Sequence, residues 1–187
     1  MALRDPSPKL TYEDYVLIPE DGKRHEIIGG EHYVSAAPFV RHQRIVLRLA
    51  FRLEGFLRDH RLGELLTAPT DVILSPHDIV QPDLLFISNE RNSIITEKNI
   101  QGAPDLVIEI LSNSSRRLDE VLKRQAYEQF GAREYWICDP AQKTAQVWER
   151  TAEGLRRSAQ LSAAAGDVLA TPLLPGLEIA LAEIFED

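Results

Sequence analysis

The sequence predicts a mixed α/β (α+β) fold: a central mixed sheet flanked by helices, with an N-terminal β-hairpin in front. Three observations lead there. Residues 39 to 60 carry apolar side chains at helical period. Short runs rich in Val, Ile, Leu and Phe follow, bounded by Pro, Asp, Ser and Asn. A second amphipathic stretch then leads into the apolar run EYWIC. The chain has 187 residues, 44% hydrophobic and 27% charged, which suits one globular unit with a sizeable core. Repeats, low-complexity tracts and long Gly/Pro linkers are absent, so residues 1–187 read as a single domain.

Each element has its own signal. Residues 11–19 (TYEDYVLIP) read as a short helix capped by Thr11. RHEIIGGEHYVS reads as a hairpin turning at Gly29-Gly30. In the 39–60 helix, Ile45, Val46, Leu49, Leu53, Phe56 and Leu57 share one face. Arg41, Arg44, Arg48 and Arg52 form a stripe beside it, and Gly63 is the expected stop. ELLTAPTDVIL, IVQPDLLFIS and APDLVIEILS read as three strands, the first two joined by the turn SPHD. The polar NERNSIITEKNIQG separates the second from the third. Ser112 to Ser115 offer caps for the helix RRLDEVLKRQAYEQFG, with Leu118, Val121, Leu122, Ala126 and Phe130 on its core face and Gly131 as its stop. EYWICDP is a strand, paired with AQVWER through a turn at Asp139-Pro140. LLPGLEIALAEIF reads as a loop and a short closing helix.

Composition bounds the function. A net charge of -8 argues against a non-specific nucleic-acid coat protein, although a local basic stripe can still carry phosphate contacts. The one cysteine, Cys138, allows no intramolecular disulfide and reads as a buried structural thiol. No apolar run reaches membrane-span length, and MALRDPSPKLTYEDY lacks the apolar stretch of a secretory signal. The expectation is a cytoplasmic protein that does not enter a membrane.

Two carboxylates carry the chemistry. Glu109 interrupts the run Leu106-Val107-Ile108-Glu109-Ile110-Leu111, where an ionised group is costly unless a cation, a metal or hydrogen bonds receive it. Asp83 begins the preceding strand directly after Pro82. Neighbouring strands lie about 4.8 Å apart, so the two could share one ion, and hard oxygen donors suit Mg²⁺ or Mn²⁺. Asp119, Lys123 and Tyr127 stack along one side of the next helix, from which Lys123 could reach the same site and orient a water. Asp105, in a second Pro-Asp pair, is the poorer partner for Glu109: on one strand the two would lie about 13 Å apart.

Pro82-Asp83, then 25 residues, then Glu109-Ile110-Leu111 resembles the PD-(D/E)XK signature of restriction-endonuclease-like nucleases. More specifically, TYEDYVLIPEDGKRHEIIGGE, RHQRIVLRL, VQPDLLFIS, GAPDLVIEILSNSSRRLDEVLKRQAYEQFGAREYWICDP and LLPGLEIAL resemble a large bacterial family known only as candidate restriction endonucleases. The resemblance covers nearly the whole length. It implies a restriction-endonuclease-like fold and a Mg²⁺- or Mn²⁺-dependent endonuclease that hydrolyses phosphodiester bonds in nucleic acid, DNA ahead of RNA, with a homodimer as a plausible working form. Its signature places a lysine two residues after Glu109, where this chain has Leu111; Lys123, on the following helix, is the matching candidate. It also implies the Ile110 carbonyl as a metal ligand and brings Glu26, in RHEIIGGE, into the site.

Plainer readings stand beside these. Asp83 is also a normal residue for a strand start, and Glu109 could pair with a buried arginine. Asp119 and Lys123 could be a surface pair worth about 0.3–0.5 kcal/mol. Tyr127 reads as a packing residue with a wet hydroxyl, His42 as a hydrogen-bonded core histidine, and the arginine stripe as either a solvated face or a phosphate track. Asp71, Asp105 and Glu31 read as turn or strand-end residues. Leu111 and the net acidity leave room for a non-catalytic binding or assembly module on a nuclease fold. A two-carboxylate glycosidase ranks last, because only 7% of residues are aromatic and no sugar platform is visible.

Overall fold

The computed structural model describes residues 8–112 and 115–186. The chain opens with α1 (Tyr12–Tyr15), the hairpin strands β1 (Arg24–Ile28) and β2 (Glu31–Ser35), and the long helix α2 (Val40–His60). Next come β3 (Gly63–Thr67), β4 (Val72–Ser75), β5 (Asp78–Val80), β6 (Leu84–Ser88), β7 (Ile100–Gln101) and β8 (Leu106–Ile110). A π-helical stretch, Leu118–Lys123, runs into α3 (Arg124–Phe130). β9 (Glu134–Asp139), β10 (Thr144–Thr151), β11 (Gly154–Ser162), β12 (Val168–Leu169), β13 (Ile179–Ala180) and α4 (Leu181–Ile184) complete it. No helix among the described residues is long and apolar enough to cross a membrane.

The central sheet has six strands in the order β11-β10-β9-β8-β6-β3. Only β8 and β9 pair in parallel within it. Parallel neighbours need a crossover of a dozen or more residues, and the helix ending in α3 supplies it. A second sheet, in the order β2-β1-β5-β4-β7, contains the hairpin.

Alternation along the strands builds two cores. Leu84, Phe86, Leu106, Ile108, Trp136 and Cys138 pack with Ile45, Leu49, Leu53 and Leu57 of α2 and with α4. Leu85, Ile87, Val107, Tyr135 and Ile137 pack with Ala126 and Tyr127 of α3 and with Val72, Val80 and Ile100 of the second sheet. Cys138 is a buried free thiol whose pKa burial pushes up to about 12, an inert structural residue.

Several sequence expectations change. The runs ELLTAPTDVIL and IVQPDLLFIS are each two strands, not one. They break beside Pro69 and Pro82, and their halves join different sheets; proline cannot donate to a ladder. The SPHD turn joins β4 to β5, within the smaller sheet. The first helix ends at Tyr15, although Thr11 caps it as expected, with Asp14 completing a capping box. The long helix stops at Arg61, in the left-handed conformation, rather than at Gly63. Gly63 instead serves close approach, since a Cβ there would overlap the Ile87 carbonyl oxygen. Val121 is exposed rather than in the core. β11, the long partner of β10, was not expected as a strand. The hairpin turn and the Gly131 stop are as expected: Gly29, Gly30 and Gly131 all have positive φ. Of the proposed caps, Ser112 and Ser115 bond each other through their hydroxyls, while Asn113 and Ser114 lie outside the described residues.

Glu134 is a buried acid beside the first core. Its carboxylate lies buried near Thr171 and Trp136 without a hydrogen bond of good geometry to either. Burial pushes its pKa up to about 7. A raised folded pKa means that the folded state binds the proton more tightly than the unfolded chain. Its stabilising contribution is therefore complete below the usual glutamate pKa and lost as pH rises through about 7. Glu134→Gln should remove this dependence. Thermal melts should show the variant gaining on the parent as pH rises from 5 to 8, by on the order of 2 kcal/mol.

Candidate functional site

The antiparallel register of β6 and β8 pairs Leu84 with Ile108. One residue further, the same register sets Asp83 against Glu109 at the strand ends. The Asp83 amide points at Glu109 Oε2, 3.4 Å away. Asp83 Oδ2 accepts hydrogen bonds from the Ile110 amide at 2.8 Å and meets His42 Nε2 at 3.0 Å. Arg24 Nη1 donates to Oδ1 at 2.9 Å. In an antiparallel pair a residue presents N–H and C=O to the same neighbour, so the Ile110 carbonyl faces the edge that its amide faces.

Glu109 follows Val107 on the face of β8 covered by the crossover helix. There Lys123 meets it. Lys123 Nζ lies 2.9 Å from Glu109 Oε1, 2.8 Å from Glu26 Oε1 and 3.4 Å from Asp119 Oδ1. All four residues are at most 2% exposed. Glu26 Oε1 also accepts the Gln81 amide at 2.7 Å, while Glu26 Oε2 is buried with no hydrogen-bond partner among the described residues. The stretch carrying Asp119 and Lys123 is π-helical. The extra residue in such a turn is a local device often found at functional sites. A cleft of about 740 Å³ opens over this group, lined by Arg24, His42, Asp83, Glu109, Asp119 and Lys123 among others.

A family profile described as "Uma2: Putative restriction endonuclease" matches residues 12–182. The chain belongs to that family. Its fold agrees. A crystal structure of "a putative nuclease belonging to DUF820" from Anabaena variabilis superposes with a TM-score of 0.76 at 18% identity. The match covers 94% of this chain and 97% of that one. No curated protein matches the sequence. The Uma2 chain thus has the restriction-endonuclease-like mixed fold that its sequence implies.

The electrostatics of the Uma2 cleft are unbalanced. Four carboxylates (Glu26, Asp83, Glu109, Asp119) face two permanent cations, Lys123 and Arg24, with the His42 ring against Asp83. Burial opposes ionisation of Asp83, but the His42 hydrogen bond and the Arg24 charge outweigh it and hold its pKa at about 2. Burial pushes Glu109 well above the usual range, and Asp119, Asp83 and Glu26 add repulsion that Lys123 only partly offsets. Burial also raises Asp119. Burial works against the charge on Lys123, yet Glu109, Glu26 and Asp119 raise its pKa well above normal, so it stays protonated.

The structure brings Asp83, Glu109, Lys123, Glu26 and the Ile110 backbone together. It also adds residues for which the sequence offered plainer roles. Asp119 joins Lys123 as a buried partner, so the surface-pair alternative for the two does not hold. His42 is buried, as a core histidine would be, but its bond is to Asp83, and its Nδ1 has no partner among the described residues. Arg24 drew no attention in the sequence. An arginine preceding an apolar strand two positions from Glu26 was the available signal. Tyr127 is a packing residue, but its hydroxyl is buried rather than wet.

Other candidates lie apart. Asp105 pairs with Arg91 and Arg133 at 3.1 Å each and takes the Ser88 amide. Asp71 binds Tyr15 and Gln81, and Glu31 accepts from Tyr33. The arginine stripe is divided. Arg48 and Arg52 donate to carbonyls of Ile184, Glu186 and Glu178 in the closing segment, which removes them from any phosphate track. Arg41 and Arg44 remain exposed.

Lys123→Met should leave three buried carboxylates without their shared cation, at a cost of about 3–5 kcal/mol. Glu109 and Asp119, whose pKa values burial already raises, would take up protons on acidification. Urea unfolding should therefore show the deficit at pH 8 shrinking by pH 5; equal deficits at both would contradict the ion cluster.

Proposed function

We propose that this protein is a divalent-metal-dependent endonuclease that hydrolyses phosphodiester bonds in cytoplasmic nucleic acid. The observation that carries the reading is the facing pair Asp83 and Glu109 at the end of two neighbouring strands, beside the buried Lys123. Its family description supports the same class.

The donor chemistry fits Mg²⁺ or Mn²⁺. Among the described residues no group of three or more His, Cys, Asp or Glu side chains is arranged as a metal cage. Mg²⁺ rarely uses one: it keeps several waters and takes one or two carboxylates plus substrate phosphate. The excess of buried carboxylates over cations and the unpartnered Glu26 Oε2 favour a further positive charge. Asp83, Glu109 and the Ile110 carbonyl would hold it. When bound, such an ion stabilises phosphoryl charge and activates water at neutral pH.

The chain's own groups divide the remaining work. Lys123 stays protonated, so it serves as a hydrogen-bond donor and charge stabiliser, not as a general base. Glu26 and Asp119 fix its direction. Arg24, at the partly open edge of the cleft, suits a non-bridging phosphate oxygen, which guanidinium groups bind well. Cutting both strands of a duplex calls for two such sites, so a symmetric pair is the proposed working form.

Two observations favour a second reading, a non-catalytic binding module. Asp83 is already engaged by Arg24 and His42, and position 111 is leucine. Duplex DNA and RNA incubated with Mn²⁺ or Mg²⁺ separate the two. The nuclease reading expects cleavage that chelation stops and that Asp83→Asn or Glu109→Gln reduces at least a hundredfold, with unchanged circular dichroism. Cleavage that survives both substitutions would overturn it, and the absence of cleavage on either polymer would favour the binding module.

A further inference from the structure

Helix α2 has a second apolar face that nothing in the described chain covers. Val40, Leu47 and Phe51 are 70%, 70% and 77% exposed. They lie almost opposite the buried row of Ile45, Leu49, Leu53 and Leu57. Val40, Arg44, Leu47, Phe51, Glu54 and Arg58 follow one another in alternating steps of four and three residues. That spacing is the seam of a helix that packs along a partner helix. Such a seam is unusual on a face turned to solvent, where polar residues are expected.

The charges on the seam choose the occupant. Two copies of α2 laid antiparallel, with Leu47 of one against Phe51 of the other, set Arg44 opposite Glu54 at both ends. Arg58 then meets Val40, which its long aliphatic stem can cover. A parallel pair would instead oppose Arg44 to Arg44 and Glu54 to Glu54, a repulsive arrangement. Within the described chain Arg44 has no ion pair, and the only partner of Glu54 is Arg58, at 3.3 Å on the surface. Gly55 beside the seam carries no side chain to hold the helices apart.

We infer that two copies of this chain associate through an antiparallel pairing of α2 along the seam Val40, Arg44, Leu47, Phe51, Glu54 and Arg58. A single helix pair is a small interface, so the association is of the transient, micromolar kind. The two clefts, each beside His42 near the start of α2, then lie about 21 Å apart along the helix axis. The pairing is read from the helix alone, so its test is independent of cleavage.

The test is sedimentation velocity on the full chain across the micromolar range. The parent should move from monomer to dimer as concentration rises. Phe51→Glu should weaken association at least tenfold with an unchanged melting temperature, because the residue is exposed. Arg44→Glu should weaken it through Glu54, and Arg44→Glu with Glu54→Arg should restore it. A parent that stays monomeric throughout, or a dimer indifferent to Phe51→Glu, would overturn the inference. Failure of the charge swap to restore association would overturn the antiparallel arrangement. Leu47→Cys with Phe51→Cys adds a direct readout: oxidation should link two copies through Leu47 and Phe51 positions, since Cys138 is buried.

Discussion

The Lys123 ammonium is held by carboxylates from three separate elements: Glu26 on the hairpin, Glu109 on the central sheet, and Asp119 one turn earlier on its own helix. A charge buried this deeply is costly unless nearly all of its donors are met. Its partners in turn are costly without it. The cluster therefore ties the smaller sheet, the central sheet and the crossover helix into one arrangement, while the β6–β8 register sets Glu109 against Asp83. The two apolar cores supply the bulk of the folding free energy. The ion cluster fixes the crossover helix and the hairpin over the end of β8.

Function follows from what the cluster leaves undone. Lys123 is too heavily engaged to accept a proton, and Asp83 is strongly ionised. Lys123 and Arg24 thus give the cleft fixed positive charge beside the Asp83 carboxylate. That is the environment expected where water is activated by something bound, while protein groups stabilise developing negative charge. Arg24 and His42 shield Asp83 in the structure described. Both line the cleft beside it.

Much of this was legible in the sequence, for identifiable reasons. An acid in the middle of LVIEIL has few structural excuses, so Glu109 announced itself. Asp83 gained meaning from its distance to Glu109 and from the family pattern. Glu26 was reached only through the resemblance. The rest depended on tertiary placement. Pro69 and Pro82 mark breaks, but which half of each run joins which sheet is set by long-range pairing. On an ideal α-helix Asp119 and Lys123 form an ordinary surface pair; the hint of burial was Tyr127 continuing their line. His42 sits on the apolar side of an amphipathic helix, and its neighbour Asp83 is 41 residues away. No local pattern could join them.

The proposed function requires Asp83 and Glu109 to hold one divalent ion jointly. Crystals grown with Mn²⁺ and measured at the manganese absorption edge test that directly. The expected result is one anomalous peak within coordinating distance of both carboxylates, with Lys123 still bound to Glu26 and Glu109. A peak elsewhere, or none at saturating Mn²⁺ with Asp83 still held by Arg24 and His42, would contradict it.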